Sequence, residues 1–233
     1  MNNRFKKYLK VAIPGLLCII IYAMISSFEE WYLKLNNIDY DSMDMWLKVS
    51  YAIIWETVIA AVIALLLNKK ISRDISNMKE NHKTYFKKYF KYWLIAVGIM
   101  MVSNAIINLI GNDISGNEQA LRDLFKISPF YIYFSSVIFA PIVEELIFRQ
   151  SIRNIIPNKI LFIIISGVVF GGLHVLTGFS SPLDLLYLIP YCAPGIAFAY
   201  ILADSDNILI SMGLHYMHNG VLIALQFMLL IFG

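Results

Sequence analysis

Three short polar motifs interrupt apolar segments in the second half of this chain. They are EELIFR at residues 144–149, FGGLH at 170–174 and HYMHN at 215–219. An ionisable side chain at bilayer depth is energetically costly, so glutamates and histidines in such segments indicate a functional site. Carboxylates and imidazoles can accept protons from a water molecule, and their combination therefore predicts hydrolytic chemistry inside a membrane.

Helix geometry gives the two glutamates of the first motif different partners. Arg149 follows Glu145 by four residues, the spacing and order at which a glutamate and an arginine pair on one helix face. Glu144 points about 100° away and has no basic residue three or four positions later. We therefore expect Glu145 and Arg149 to support the helix and Glu144 to exchange protons. The alternative is that both acids pair at the membrane boundary.

The third motif places His215 and Asn219 on one helix face, because residues i and i+4 align, and His218 lies to one side of it. If the three helices meet, Glu144 and His174 would hold a water molecule. His215 and Asn219 would then donate to the oxyanion that forms on a substrate carbonyl. The alternative for each histidine is a hydrogen-bonded packing role, and the role of His218 stays open.

A metal site is the second chemical interpretation of the same side chains. Histidine and glutamate are ordinary zinc ligands, so Glu144, His174 and His215 are the residues that would hold a divalent metal such as Zn. The sequence has no His-Glu-x-x-His motif, which is the usual zinc signature on a helix. The sequence therefore requires no cofactor and leaves a divalent metal as the alternative.

Glu56, in the stretch AIIWETVIA, is the acid at predicted membrane depth in the first three apolar segments. An intramembrane acid is a candidate for function by default. The alternative is a protonated or paired structural carboxylate.

The three motifs, in this order along a multi-spanning chain, resemble those of the CPBP family, which comprises CAAX prenyl endopeptidases and bacteriocin-processing enzymes. EELIFR matches EExxxR, FGGLH matches FxxxH and HYMHN matches HxxxN. The resemblance covers about residues 130–225. It implies an all-helical intramembrane endopeptidase that depends on glutamate, in a family often classed with metalloproteases.

The resemblance also implies roles for single residues by motif position. Gln150 stands where a glycine commonly follows the arginine of the family motif, a departure that removes no catalytic residue. By this resemblance, Glu144 and His174 would activate the water molecule, and His215 and Asn219 would stabilise the oxyanion. Glu145 and Arg149 would support the helix.

The composition is that of a membrane protein. Of the 233 residues, 59% are hydrophobic and 15% are charged, whereas globular proteins have about 45–50% and about 25%. We predict one all-α polytopic bundle over residues 1–233, with scaffold spans in 1–127 and a catalytic core in 128–233 whose four spans build the active-site cavity. Gly167 and Gly171 predict a close helix contact. The seven predicted spans are about 11–28, 47–67, 92–110, 129–150, 159–177, 184–203 and 207–232.

Basic residues are divided unevenly between the two ends of these spans. With a cytoplasmic N-terminus, fifteen of the nineteen lysines and arginines lie on the cytoplasmic side. The positive-inside rule therefore predicts that orientation in the cell membrane. The basic segment 69–91 is interpreted as an anchor beside anionic lipid and not as a nucleic-acid interface.

Three functions fit these features. The first is an endopeptidase that cleaves a membrane-associated peptide or protein, in signal- or bacteriocin-peptide maturation, self-immunity or CAAX-like processing. The second is a non-catalytic scaffold or immunity regulator that binds a membrane-protein partner. The third is a transporter with a proton relay, which usually contains an inverted repeat that this sequence lacks. The expected partners are lipids and a peptide or protein substrate, and nucleic acid is not expected.

Overall fold

The computed structural model describes residues 3–40, 42–111 and 114–232, apart from the side chains of residues 30 and 230. These described residues form helices, turns and loops without a strand. We number the helices in chain order as α1 (Asn3–Leu35), α2 (Met45–Leu66), α3 (Asn68–Ile110), α4 (Gly116–Ile127), α5 (Pro129–Ile155), α6 (Lys159–Leu176), α7 (Pro182–Ser205) and α8 (Ile208–Phe232).

In this part of the chain, seven helices are long and apolar enough to cross a membrane, and α4 is the connector that is not among them. The predicted all-α polytopic bundle is therefore confirmed. Most predicted span ends agree with the helix ends within a few residues. The main differences are that α1 and α3 extend far into polar sequence and that α5 continues to Ile155. Hydropathy marks only the membrane-embedded part of a helix, and lysine and glutamate continue a helix readily in water.

The longer α5 brings two candidate site residues to similar depths. An end at residue 150 would place Glu144 near the C-terminal end of its span, whereas His174 lies about 22 Å along α6 from Lys159. Because α5 continues to Ile155, Glu144 instead lies about 16 Å from the C-terminal end of its helix. Both residues line one cavity.

The helix α5 contains two π-helical stretches, Tyr133–Phe139 and Glu145–Ser151. A π-helical turn pairs the carbonyl of residue i with the N–H of residue i+5, and Pro141 has no N–H to give to the carbonyl of Ser136. The side chain of Asn219 supplies the missing donor, with its Nδ2 at 2.7 Å from that carbonyl oxygen. This hydrogen bond joins α8 to α5 about two turns before the glutamate motif.

The largest apolar cluster lies toward the C-terminal end of α5, where α1 and α2 pack against the last four spans. Ile63 of α2, Ile147 of α5 and Phe162 of α6 belong to it and are at most 2% exposed. Burial of such side chains contributes about 1.5–3 kcal/mol each when they leave water, and in a bilayer their close packing fixes the helix positions. The packing of this cluster therefore fixes the position of α5.

The helices α6 and α7 approach each other closely along the two glycines that the sequence singled out. A Cβ atom at Gly167 would lie 3.0 Å from the backbone nitrogen of Ile196, and one at Gly171 would lie 2.9 Å from that of Cys192. Any side chain at these positions would push the two backbones apart. The predicted small-residue contact is present, and it sets the position of His174 three residues later.

Replacing Gly171 with alanine should therefore destabilise the protein by about 1–3 kcal/mol, the usual cost of overpacking. Gly172 is the matched control, because a Cβ atom there would meet nothing within 4 Å. Alanine at Gly172 should be neutral or stabilising by about 0.5–1 kcal/mol, since glycine weakens a helix interior. Thermal unfolding in detergent measures both changes, and equal midpoints for the two variants would contradict the close contact.

Candidate active site

His215 lies between the two glutamates of the EELIFR motif. Its Nδ1 is 3.0 Å from Oε1 of Glu145, and its Nε2 is 3.6 Å from Oε2 of Glu144. Glu145 is fully buried, whereas the Glu144 side chain is 22% exposed. The α5 glutamates and the α8 histidine are thus brought together, as the hypothesis required, with Glu144 as the accessible carboxylate.

The predicted pair between Glu145 and Arg149 is present and wholly buried. Nε of Arg149 lies 3.4 Å from Oε1 of Glu145, and both side chains have 0% exposure. The guanidinium also lies over the ring of Phe170, 4.2 Å from its centroid, and 5.9 Å from that of Phe198. A cation held by a carboxylate and two ring faces offsets part of the cost of its burial. Arg149 therefore compensates the buried charge of Glu145.

His174 has one ring nitrogen engaged and one available. Its Nδ1 lies 2.9 Å from the backbone carbonyl oxygen of Phe170. A carbonyl can only accept, so we assign the proton to Nδ1, and in the neutral ring Nε2 is then a proton acceptor. The ring packs between Phe170 and Tyr191, with centroids 4.4 Å and 5.1 Å away. These contacts fix the orientation of a basic nitrogen beside the cavity.

His218 has the opposite tautomer. Nε1 of Trp93, which is a donor only, lies 3.3 Å from Nδ1 of His218. The neutral ring must therefore accept at Nδ1 and carry its proton on Nε2. His218 is buried and lines the same cavity as His174. His218, whose role the sequence left open, is thus a candidate hydrogen-bond donor, and no local pattern in the sequence indicates its tryptophan partner in α3.

A single cavity of about 520 Å³ brings the candidate side chains together. Such a volume lies within the usual range of about 300–1,000 Å³ for ligand sites. Glu145 and Arg149 are not among its described lining residues and lie behind it. Sequence reasoning had not singled out several lining residues, because single aromatic and hydroxyl side chains in apolar helices give no distinctive signal. From the candidate motifs and their surroundings the lining includes Ser135, Ser136, Glu144, Phe170, His174, Tyr191, Phe198, His215, His218 and Asn219.

Asn104 and Asn108 of α3, together with residues of α4, also line this cavity. The last four spans supply the glutamate and the histidines of the lining, and α3 and α4 add an outer wall. The division into scaffold spans in 1–127 and a catalytic core in 128–233 stays a prediction.

Glu56 lies outside the described lining of this cavity and joins α2 to α5. Its Oε1 accepts hydrogen bonds from Tyr131 at 3.2 Å and from Ser135 at 2.6 Å. Two hydroxyl donors from one neighbouring helix are the arrangement expected of a structural carboxylate. We therefore interpret Glu56 as a helix-positioning residue.

Among the described side chains, no group of three or more histidines, cysteines, aspartates and glutamates is arranged to hold a metal ion. In the predicted set of Glu144, His174 and His215, each imidazole has its Nδ1 engaged, by a backbone carbonyl in His174 and by Glu145 in His215. This leaves each Nε2 for a proton or for a metal ion, because a metal-binding histidine commonly bonds a carbonyl or a carboxylate through its other ring nitrogen. The choice between zinc and direct proton transfer therefore stays a prediction.

Comparison with known proteins gives matches to the second half of the chain. Residues 126–221 match the family model described as type II CAAX prenyl endopeptidase Rce1-like. A Bacillus subtilis protein named "Putative membrane peptidase YdiL" is 34% identical over 115 residues, which are 48% of this chain and 43% of the relative. A Mycoplasma capricolum protein named "Uncharacterized protein" is 29% identical over 125 residues, which are 48% of this chain and 36% of the relative. The match spans less than half of each relative. No solved structure matches the chain significantly.

Proposed function

We propose that this chain, which belongs to the CPBP family of membrane proteases through residues 126–221, hydrolyses a peptide bond in a membrane-associated peptide or protein. The observation that carries the proposal is one cavity lined by Glu144, His174, His215 and Asn219 inside a membrane-spanning bundle. The biological setting is maturation of a signal or bacteriocin peptide, self-immunity or CAAX-like processing. The protein lies in the cell membrane with a cytoplasmic N-terminus.

The first chemical step is activation of a water molecule by Glu144 and His174. Water bound between the Glu144 carboxylate and the free Nε2 of His174 gives up a proton to the carboxylate as its oxygen attacks the substrate carbonyl carbon. His215 is anchored by its Nδ1–H on Glu145, which leaves its Nε2 as an acceptor 3.6 Å from Oε2 of Glu144, where it can share the proton that Glu144 takes from water. The attack produces a tetrahedral intermediate with a negative oxygen.

The second step is stabilisation and collapse of that intermediate. Asn219 uses one Nδ2 hydrogen to bind the carbonyl of Ser136, which fixes its amide, and the other hydrogen is available to the oxyanion. His215 becomes a second donor when the proton on Glu144 is shared with its Nε2. Glu144 finally delivers the proton to the leaving amine, the C–N bond breaks, and the carboxylate is regenerated.

His218 supplies a third donor in this proposal. Trp93 fixes the neutral tautomer that carries its proton on Nε2. Neutral donors that are already oriented stabilise a developing negative charge without reorganising during the reaction. This donor role also gives a function to the hydrogen bond that Trp93 of α3 makes with the last four spans.

Replacing Trp93 with phenylalanine should lower the cleavage rate by about 2- to 12-fold, the equivalent of the about 0.5–1.5 kcal/mol of one hydrogen bond. The phenylalanine keeps the ring packing and removes only the Nε1–H that orients His218. Trp46, which is 74% exposed, is the matched control for a tryptophan-to-phenylalanine change. Initial rates of peptide cleavage measure both variants, and a Trp93 variant as active as wild type would remove His218 from the mechanism.

The test of the proposed function is incubation of the purified protein in detergent with a proteome-derived peptide library. Mass spectrometry then detects new peptide termini. The proposal expects termini that are absent when the protein is omitted. No new termini, combined with a cellular phenotype that survives Glu144→Ala, would instead identify a non-catalytic scaffold.

A further inference from the structure

The cavity extends from the catalytic side chains toward one end of the bundle only. Its described lining includes residues from 215 to 226 of α8 and from 100 to 108 of α3. On α6 the described lining begins at Phe170, and on α7 it ends at Phe198. The helices α3, α6 and α8 run toward the end where α4 lies, and α7 runs away from it. All these segments therefore lie between the glutamate level and α4.

The mouth of the cavity is marked by its exposed residues. Among the described lining residues, exposed side chains are those of Asn108, Arg122 and Leu222. They belong to the end of α3, to α4 and to α8, seven residues beyond His215, which is about 10 Å along the helix. The cavity thus opens at the α4 end and reaches inward to the half-buried Glu144.

The α4 rim carries hydrogen-bonding groups with little net charge. Tyr191 joins its hydroxyl to Oγ of Ser115 at 2.7 Å and accepts from Nδ2 of Asn117 at 3.2 Å. Nε of Arg122 donates to Oε1 of Glu118 at 2.9 Å, which balances both charges. Amides and hydroxyls above an apolar interior are suited to an extended peptide, whose backbone needs polar partners and whose side chains need apolar space.

The opposite end of the bundle is closed by buried polar contacts. Asp74, which is 1% exposed, accepts from the backbone nitrogen of Ile208 at 2.9 Å, and its own carbonyl accepts from Asn207 at 3.0 Å. Lys88 pairs with Asp204 at 2.7 Å. These contacts tie the start of α3 to the α7–α8 turn, and no described cavity-lining residue comes from this region.

Charge identifies which end faces the cytoplasm. Eight of the nineteen basic residues lie between residues 69 and 91, at the closed end, whereas α4 contributes Arg122 and Lys126. The positive-inside rule places the closed end in the cytoplasm. We infer that the cavity receives substrate from the non-cytoplasmic side, and that the substrate is an extended, exported segment of a peptide or membrane protein. This inference rests on the proposed function. Among the settings named there, it selects exported peptides over CAAX-like processing, because prenylated C-termini are made in the cytoplasm.

Labelling of single cysteines in intact cells tests the side of the mouth. The background replaces Cys18 and Cys192 with alanine, and single cysteines then replace Arg122 at the mouth or Lys79 at the closed end, two exposed basic positions. A membrane-impermeant maleimide should label Arg122→Cys equally before and after permeabilisation, and Lys79→Cys only afterwards. The reverse pattern would overturn the inference.

A second measurement connects the mouth to catalysis. Leu222→Cys in the same background is labelled in intact cells with a bulky impermeant maleimide, purified and given the peptide library. Cleavage should be lost, while permeabilised and labelled Lys79→Cys should cleave as well as its unlabelled form. Full activity of labelled Leu222→Cys would show that substrate enters elsewhere. If unlabelled protein does not cleave at all, the proposed function fails, and the labelling pattern still decides which side the mouth faces.

Discussion

Replacing Glu144 with glutamine is expected to lower kcat for peptide cleavage by about 10²–10⁴-fold, the contribution of a positioned general base. Glutamine keeps the size and the hydrogen-bonding reach of the side chain but cannot take a proton from water. Glu144 lines the cavity together with His174, whereas Glu118, another carboxylate of the described lining, is paired with Arg122 on α4. KM should change little, since the lost interaction is made mainly in the transition state.

Initial rates with one library-derived peptide measure this loss. Glu80, exposed on the basic part of α3, is the matched control, and Glu80→Gln should keep wild-type kinetics. The His174→Ala variant should also lose kcat, because the free Nε2 beside the water is removed. A Glu144→Gln enzyme that keeps more than a tenth of wild-type kcat would contradict the role of Glu144, since it would fall short of the about 100-fold minimum for a general base.

Replacing Glu145 with alanine is expected to destabilise the protein by about 3–5 kcal/mol, because it leaves a buried charge without its partner. The group that loses its partner is Arg149, which has 0% exposure and would keep its contacts with the rings of Phe170 and Phe198 but no directly paired carboxylate. The matched control is Glu118→Ala on α4, which breaks a pair of the same spacing with Arg122. Those side chains are 35% and 50% exposed, so the loss there should be about 0–1 kcal/mol.

A double variant separates stability from catalysis at this pair. Glu145→Met with Arg149→Met removes both charges and should recover most of the lost stability, as apolar replacements of buried ion pairs often do. It should remain inactive, because Nδ1 of His215 loses its acceptor and the ring is no longer held toward Glu144. Thermal unfolding in detergent and peptide cleavage measure the two properties. A double variant that cleaves normally would contradict the positioning role of Glu145.

Much of this fold could be predicted from the sequence, because a bilayer imposes simple rules. Apolar length fixed the spans, and the order of the motifs placed Glu144, His174 and His215 on three of them. The four-residue spacing of Glu145 and Arg149 predicted their pair, and Gly167 with Gly171 predicted the close contact of α6 and α7. Each of these inferences depends on one helix at a time, where spacing alone determines the geometry.

Contacts between distant segments could not be predicted in the same way. Trp93 and His218 are separated by 125 residues, and Asn219 and Ser136 by 83, so no local pattern links them. The bond to Ser136 depends on a π-helical register in α5 that hydropathy does not reveal. The helix ends of α1 and α3 were also missed, because charged residues continue a helix as well as apolar ones do.

A chelator experiment decides whether Glu144 and His174 activate water by direct proton transfer. Peptide cleavage by purified wild type is compared with and without a strong divalent-metal chelator, beside Glu144→Gln under the same conditions. We expect cleavage to survive the chelator and to be lost in Glu144→Gln. Cleavage that the chelator abolishes and added zinc restores, or that persists in Glu144→Gln, would contradict it.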